Sequence, residues 1–172
     1  MSTLIVYASK HGSVEQCTSM LKGKLEGKVE VHNLKQGTAP SLESYDRVIV
    51  GGSIYAGRIQ KEVTAFCAQN LMQLKSKKTG LFICCMNKEN AAMQLNNVYP
   101  KELAESAAAK DSFGGTMRFS DMNFFERLIT KMVSKAEAKK GGSQTPFDGK
   151  TDITELEEDR IKTFADRMNQ EV

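Results

Sequence analysis

Histidine and cysteine are scarce in this 172-residue chain, with two of the first and four of the second. His11 and His32 stand apart. Cys17 and Cys67 fall singly on apolar helical patterns, and Cys84 and Cys85 are adjacent at the end of an apolar run. None of these spacings suits a zinc site. No metal is expected, and the thiols read as reduced, with at least three acting as small core residues. Long hydrophobic runs are also missing. Nothing approaches the ~20 apolar residues that span a bilayer. The N-terminus has no charged leader or cleavage site, and Leu4-Ile5-Val6-Tyr7 is too short for a signal core, so a cytoplasmic location is expected. Neither sign of charge is in large excess. A formal charge of +3 from 24 basic and 21 acidic residues is too slight to argue for nucleic acid. Only three prolines punctuate the chain.

What remains is an ordinary globular composition, 40% hydrophobic and 26% charged, in a length that suits one domain with a core of its own. No internal repeat, low-complexity stretch or second domain is visible. Apolar runs alternate with amphipathic helices. Leu4 to Tyr7 reads as a buried strand, and Val14, Cys17, Thr18, Leu21 and Leu25 recur at helical spacing until Gly27. Val29, Val31 and Leu34 alternate as a short strand, and Arg47 to Gly52 reads as a second buried one. Val63, Phe66, Cys67, Leu71 and Leu74 share one face of a helix. Leu81 to Met86 is a further strand. A helical stretch runs from about Asn90 to Ala109, interrupted near Pro100, and Phe113 to Phe119 reads as a weaker strand. The last helix is expected from about Thr154, capped by Thr154 with Glu157 as box partner, through Ile161, Phe164, Ala165 and Met168. Buried strands alternating with helices imply a parallel sheet covered on both faces. Five strands give a doubly wound α/β domain with order 2-1-3-4-5, whose ligands gather at the carboxyl ends of the strands.

One connection is abnormally long. Between about 120 and 152, where ~2–6 residues would serve, the chain carries Met122, Phe125, Leu128, Ile129, Met132 and Val133 as an apolar stripe at helical spacing. Arg127, Lys131, Lys135, Lys139 and Lys140 flank the stripe, and Gly141-Gly142 closes it. Phe124 and Phe125, side by side, cannot both face one core. Three readings stay open for this inserted helix: peripheral contact with an anionic membrane through 122–140, one wall of a pocket for a large apolar anion, or packing on the sheet edge.

Two strand-end loops carry the chemistry. Ser9-Lys10-His11-Gly12-Ser13-Val14 joins the first strand to a helix N-terminus, where free backbone N–H groups and the helix dipole favour an anion. Ser13 and Gln16 fit a capping box. Gly51-Gly52-Ser53-Ile54-Tyr55-Ala56-Gly57-Arg58 follows another strand, with glycines for close backbone approach and Tyr55 as a flat amphipathic ring. A phosphorylated, flat cofactor satisfies both loops.

Here the chain resembles the flavodoxin superfamily of FMN proteins, whose phosphate loop usually reads Ser/Thr-x-Thr-Gly-x-Thr. The resemblance implies FMN as cofactor. It places Ser9, Gly12 and Ser13 around the phosphate, within a cofactor loop that also holds Lys10, His11 and Val14. Lys10-His11 stands where the family is often neutral, and its basic side chains either compensate at the phosphate or point to solvent. Ser53, Ile54, Tyr55, Ala56 and Gly57 fall at the flavin ring, and Met86, Asn87 and Lys88 in a third loop. Val14 stands where a threonine is usual, so one hydroxyl is lost. Nearly the whole chain further resembles the menaquinone-dependent protoporphyrinogen oxidases, through Tyr45 to Ile54 with Gly57, and through Arg118-Phe119 and Phe125 to Lys131. That resemblance implies two-electron oxidation of a porphyrinogen-like substrate with a quinone as acceptor. Electron-carrier flavodoxins commonly place an aromatic in the third loop amid acidic residues. Here there is none, and Arg58, Lys61 and Lys88 lie in or beside the flavin loops, which is expected to favour the anionic reduced flavin. A flavodoxin that only carries electrons and an NAD(P)H:quinone reductase are the alternatives. No catalytic acid or base is identified; His11 and Lys88 are the candidates.

Overall fold

A computed structural model describes residues 1–9, 12–55, 57–117 and 153–170. Five parallel strands form one sheet: β1 (Ser2–Ala8), β2 (Lys28–Asn33), β3 (Arg47–Ser53), β4 (Lys78–Cys84) and β5 (Ala109–Ser112), in the spatial order β2-β1-β3-β4-β5. This is the expected doubly wound order. The helices are α1 (Ser13–Lys22), α2 (Lys61–Gln69), α3 (Leu71–Lys75), α4 (Ala91–Val98), α5 (Lys101–Ser106) and α6 (Glu158–Asn169).

Strand alternation divides the core in two. Leu4, Val6, Val48, Val50, Leu81 and Ile83 face Val63, Phe66, Cys67, Leu74, Leu95, Tyr99 and Leu103 of α2 to α5 and the α4–α5 junction. Ile5, Tyr7, Ile49, Phe82 and Cys84 face Cys17 and Leu21 of α1 and Ile161, Phe164 and Met168 of α6. Phe82, Phe113 and Phe164 form an aromatic cluster, the first two stacked at 4.7 Å and the third edge-on to both. Each such fully buried side chain stabilises the fold by about 1.5–3 kcal/mol.

Several boundaries differ from the sequence expectations, each for a local reason. The helix expected to carry Val63 through Leu74 breaks at Asn70, whose amide Nδ2 donates to the Phe66 carbonyl at 2.9 Å and competes with the helical ladder. The helical stretch expected to reach Ala109 is two short helices. Tyr99, ahead of Pro100, is extended, and α5 ends at Ser106 because 109–112 pairs with β4 as the fifth strand. The strand expected at Phe113–Phe119 is therefore not the sheet's fifth. Gly114, at φ 73°, turns the chain out of the sheet, and β6 (Gly114–Met117) pairs antiparallel with β7 (Ile153–Leu156) in a separate two-stranded ribbon. Consequently Thr154 lies in β7. The last helix starts at Glu158, with Glu157 as an N-cap that makes no side-chain capping bond. The inserted stripe of 122–140 lies outside the described residues, while its flanks Met117 and Ile153 are direct partners in the ribbon.

Candidate flavin site at the carboxyl ends of the strands

β1 ends at Ala8 and α1 begins at Ser13, with Gly12 as N-cap at φ 80°. That left-handed conformation is cheap only without a Cβ. The capping box expected between Ser13 and Gln16 does not form: Gly12 makes no side-chain cap bond, and Ser13 is the first helical residue instead. Ser9 supplies the closure from the other side, its Oγ accepting the Gly12 N–H at 3.0 Å. A glycine cap makes no side-chain bond to the first-turn amides of α1, and free amides at a helix start suit an anion. Ser13 is 4% exposed and Val14 is fully buried in the core. Both side chains are thus turned into the protein, which leaves their backbone N–H groups as the donors this helix start can offer. Lys10 and His11 lie outside the described residues.

Behind the loop, Tyr7 is 9% exposed at the end of β1. Its phenol is held above the usual tyrosine range, by burial first and then by the charge of Glu15, to which it is hydrogen-bonded. The turn after β2 closes on the same place. Leu34 N–H donates to the Tyr7 carbonyl at 2.8 Å, and Lys35 Nζ donates to the Ser9 carbonyl at 2.7 Å.

After β3 the chain folds into a tight turn. Tyr55 and Arg58 exchange both backbone hydrogen bonds, at 2.9 and 3.0 Å, around Gly57 at φ 75°. Ala56 lies outside the described residues. Ile54 N–H is held by the Cys84 carbonyl at 2.8 Å, tying this loop to β4. Gln60 clamps the loop base. Its Oε1 accepts Ser53 N–H at 3.0 Å, and its Nε2 donates to the Ser53 carbonyl at 2.9 Å and hydroxyl at 2.7 Å. Gly51 and Gly52 serve packing rather than ligand approach. A Cβ on Gly51 would sit 2.1 Å from the Phe82 ring, and one on Gly52 would sit 2.6 Å from Ile59.

The third loop, Met86 to Glu89, leaves β4 beside these two. Asn87 Oδ1 accepts Asn90 N–H at 3.1 Å and shapes the entry to α4. Met86 packs on Gly115 of the β6–β7 ribbon, and Cys85 N–H donates to the Gly114 carbonyl at 2.8 Å. Lys88 is ion-paired with Glu155 and Glu157, both at 3.2 Å. Hydrogen bonding to Glu157 first, and then to Glu155, raises its pKa. The positive charge expected from Lys88 is thus largely offset by the ribbon, whereas Arg58 and Lys61 remain exposed.

The structure accordingly brings Ser9, Gly12, Ser13, Ser53, Ile54, Tyr55, Gly57, Met86, Asn87 and Lys88 to one edge of the sheet. Sequence reasoning missed Lys35, Gln60 and the Glu155/Glu157 pair. Lys35 was findable, since it follows the carboxyl end of the strand beside β1; Gln60 carried no signal. All four cysteines are free and buried, with Cys17 and Cys84 sulfurs 3.5 Å apart. Burial pushes the Cys67 thiol up to about 12. Among the described residues no group of His, Cys, Asp and Glu is placed to hold a metal, and no helix is long and apolar enough to cross a membrane.

The flavodoxin domain family matches residues 4–144, and the chain belongs to that family. A curated relative from Escherichia coli (strain K12), protoporphyrinogen IX dehydrogenase [quinone], is 23% identical over 174 residues, covering 96% of this chain and 93% of its own length. Among solved structures, rubredoxin oxygen:oxidoreductase from Desulfovibrio gigas superposes with a TM-score of 0.51 at 17% identity. That match covers 82% of this chain and 37% of the larger protein. It bears on the fold alone.

Proposed function

We propose that this protein is an FMN-dependent oxidoreductase that takes two electrons from a porphyrinogen-like substrate and passes them to a quinone. The cofactor is FMN. The residues of the carboxyl edge fit it: a glycine-capped α1 N-terminus for the phosphate and Tyr55 on its clamped turn for the ring. When bound, FMN supplies reversible two-electron chemistry, accepting hydride equivalents at its N5. Ser9, Gly12 and Ser13 hold the phosphate end, with the backbone N–H groups of Ser13 and Val14 as donors. Ser53, Ile54, Gly57 and Tyr55 border the ring, with Gln60 keeping that loop in place. Met86, Asn87 and Lys88 close the third side, and the Lys88 ion pairs fix that side to the ribbon.

The observation that carries the substrate reading is where the insertion is attached. Its flanks, Met117 and Ile153, are paired in a ribbon that packs on Met86 in the third loop. The alignment to the curated relative spans 96% of this chain, too much to skip the insertion. An added segment rooted beside the third loop, whose own residues Met86 to Glu89 include no aromatic, supports a substrate-using enzyme over a bare electron carrier. The carrier reading draws support from one feature, the offset charge of Lys88.

Anaerobic mixing of the FMN-loaded protein with protoporphyrinogen should bleach the visible band of the oxidised flavin, and a menaquinone analogue should restore it. Absence of bleaching would overturn the substrate reading while leaving the cofactor reading intact. A one-electron-reduced flavin that dominates a reductive titration would favour the carrier. Bleaching by NADPH alone would favour a nicotinamide-dependent quinone reductase.

A further inference from the structure

The turn after β2 places a cation on the phosphate loop from outside that loop. Lys35 Nζ donates to the Ser9 carbonyl at 2.7 Å, across 26 residues of sequence. The backbone carrying this side chain is fixed at three points. Leu34 N–H is held by the Tyr7 carbonyl at 2.8 Å, Lys35 N–H by Asn33 Oδ1 at 3.0 Å, and Gln36 N–H by the Asn33 carbonyl at 2.8 Å. Lys35 is exposed along its length, but its ammonium is anchored in a part-buried bond to the loop rather than held on a loose tether.

Its contact falls beside Ser13 and Val14, described loop residues that turn no hydroxyl outward. The hydroxyl usual at position 14 is replaced by a fully buried valine. The Ser13 side chain is turned inward, 4% exposed, and the Ser9 Oγ already accepts the Gly12 N–H. With its carbonyl on Lys35 and its hydroxyl on Gly12, Ser9 is held at both polar ends. The nearby carboxylate of Glu15, bonded to Tyr7, opposes an anion at this end of α1, and the Lys35 charge offsets it. An ammonium has three N–H donors, so one bond to Ser9 leaves its charge and two further donors at the edge of the loop.

We infer that Lys35 is a positioning residue for the phosphate loop, and that through Ser9 it supplies the preference of this chain for FMN over unphosphorylated riboflavin. The inference rests on the FMN reading and is independent of the substrate.

The test compares FMN and riboflavin binding to the apoprotein, by flavin fluorescence quenching, for the unaltered chain, Lys35→Met and Lys35→Arg. Losing one charge-assisted hydrogen bond corresponds to about a 10- to 100-fold loss in affinity. Lys35→Met should lose FMN affinity in that range and riboflavin affinity less than about twofold, with much of the loss recovered in Lys35→Arg. The salt dependence of FMN binding should also flatten in Lys35→Met, because a charge opposite the phosphate is gone. An equal fall for both flavins, or unchanged FMN affinity, would overturn the assignment. If Lys35→Met fails to fold, Lys35→Gln, which removes the charge and shortens the side chain by one bond, carries the same comparison. Failure of the unaltered chain to bind FMN would instead overturn the cofactor reading, and this inference with it.

Discussion

The two ends of the sheet treat their polar groups in opposite ways. At the amino end, polar atoms are turned back on the protein. Arg47, 2% exposed at the start of β3, donates to Thr3 Oγ1 at 2.8 Å, to the Met168 carbonyl at 2.9 Å, to Asn169 Oδ1 at 3.2 Å and to the Glu26 carbonyl. Asn169 also bonds the Glu26 N–H and the Lys24 carbonyl, each at 3.0 Å. One guanidinium and one amide thus tie the end of α6 to the α1–β2 turn. At the carboxyl end the loops are clamped from behind, by Gln60, Lys35 and the Ser9 hydroxyl, while a glycine-capped helix terminus faces outward. The contrast separates stability from function within one fold. The amino end closes its hydrogen bonds internally, and on the proposed FMN reading the carboxyl end keeps donors for the ligand.

The largest expected effect comes from breaking the closed end. Burial pulls the Arg47 guanidinium below its ordinary pKa, against the charges of Glu26 and Asp46, but it remains a cation at neutral pH. Arg47→Met strands two carbonyls, and a buried polar group left unpaired costs about 1–3 kcal/mol. The variant should lose about 3 kcal/mol or more in denaturant unfolding, a large share of a typical domain stability of about 5–15 kcal/mol. The FMN affinity of the folded fraction should not change. If Arg47→Met does not fold, Arg47→Lys, which keeps charge but loses the fork geometry, should show a smaller loss of the same kind. A change in flavin affinity without a change in stability would refute the division between the ends.

The complementary break is Tyr55→Ala. If Tyr55 lies against the flavin ring, its loss should weaken FMN binding by about 1–3 kcal/mol, and riboflavin binding by the same amount, because the ring is common to both. Unfolding of the apoprotein should move far less than in Arg47→Met. Unchanged affinity for both flavins would remove Tyr55 from the site. The pair Tyr55→Ala and Lys35→Met also separates the two halves of the carboxyl end, since only the second discriminates between the flavins.

These ends differed in how far they could be read from residues alone. The strands of β1, β3 and β4 were legible because continuous apolar runs leave few alternatives to burial on both faces. Ser9 to Val14 and Ser53 to Gly57 were legible because hydroxyls and glycines cluster at strand ends. Long-range polar partners were not. Nothing local announces that Arg47 would meet Met168, that Gln60 would clamp Ser53, or that Lys88 would pair with Glu155 and Glu157. The fifth strand was misplaced for a related reason. Ala109-Lys110-Asp111-Ser112 is polar and short, and only its pairing with β4 makes it a strand, whereas the more apolar stretch after it leaves the sheet at Gly114. Periodicity also overran Asn70, where a single side-chain bond to Phe66 ends the helix.

The smallest effect sharpens the same contrast through pH. Asp46 accepts Ser2 N–H at 2.7 Å and the Ser2 hydroxyl at 3.1 Å at the amino end. The backbone N–H of Ser2 is the main cause that holds its carboxyl below the ordinary value. A depressed carboxyl stabilises the fold above the unfolded value of about 3.9, and that contribution disappears as pH falls through the folded value. Asp46→Asn should therefore lower the Tm slightly at pH 6, and the gap from the unaltered chain should close as the pH is taken well below 3.9. Asp46 is exposed, so salt should shrink the gap as well. Since the group sits at the closed end, FMN affinity measured at pH 7 should be the same in both proteins. A gap that persists undiminished in acid would mean that the carboxylate charge is not what Ser2 stabilises.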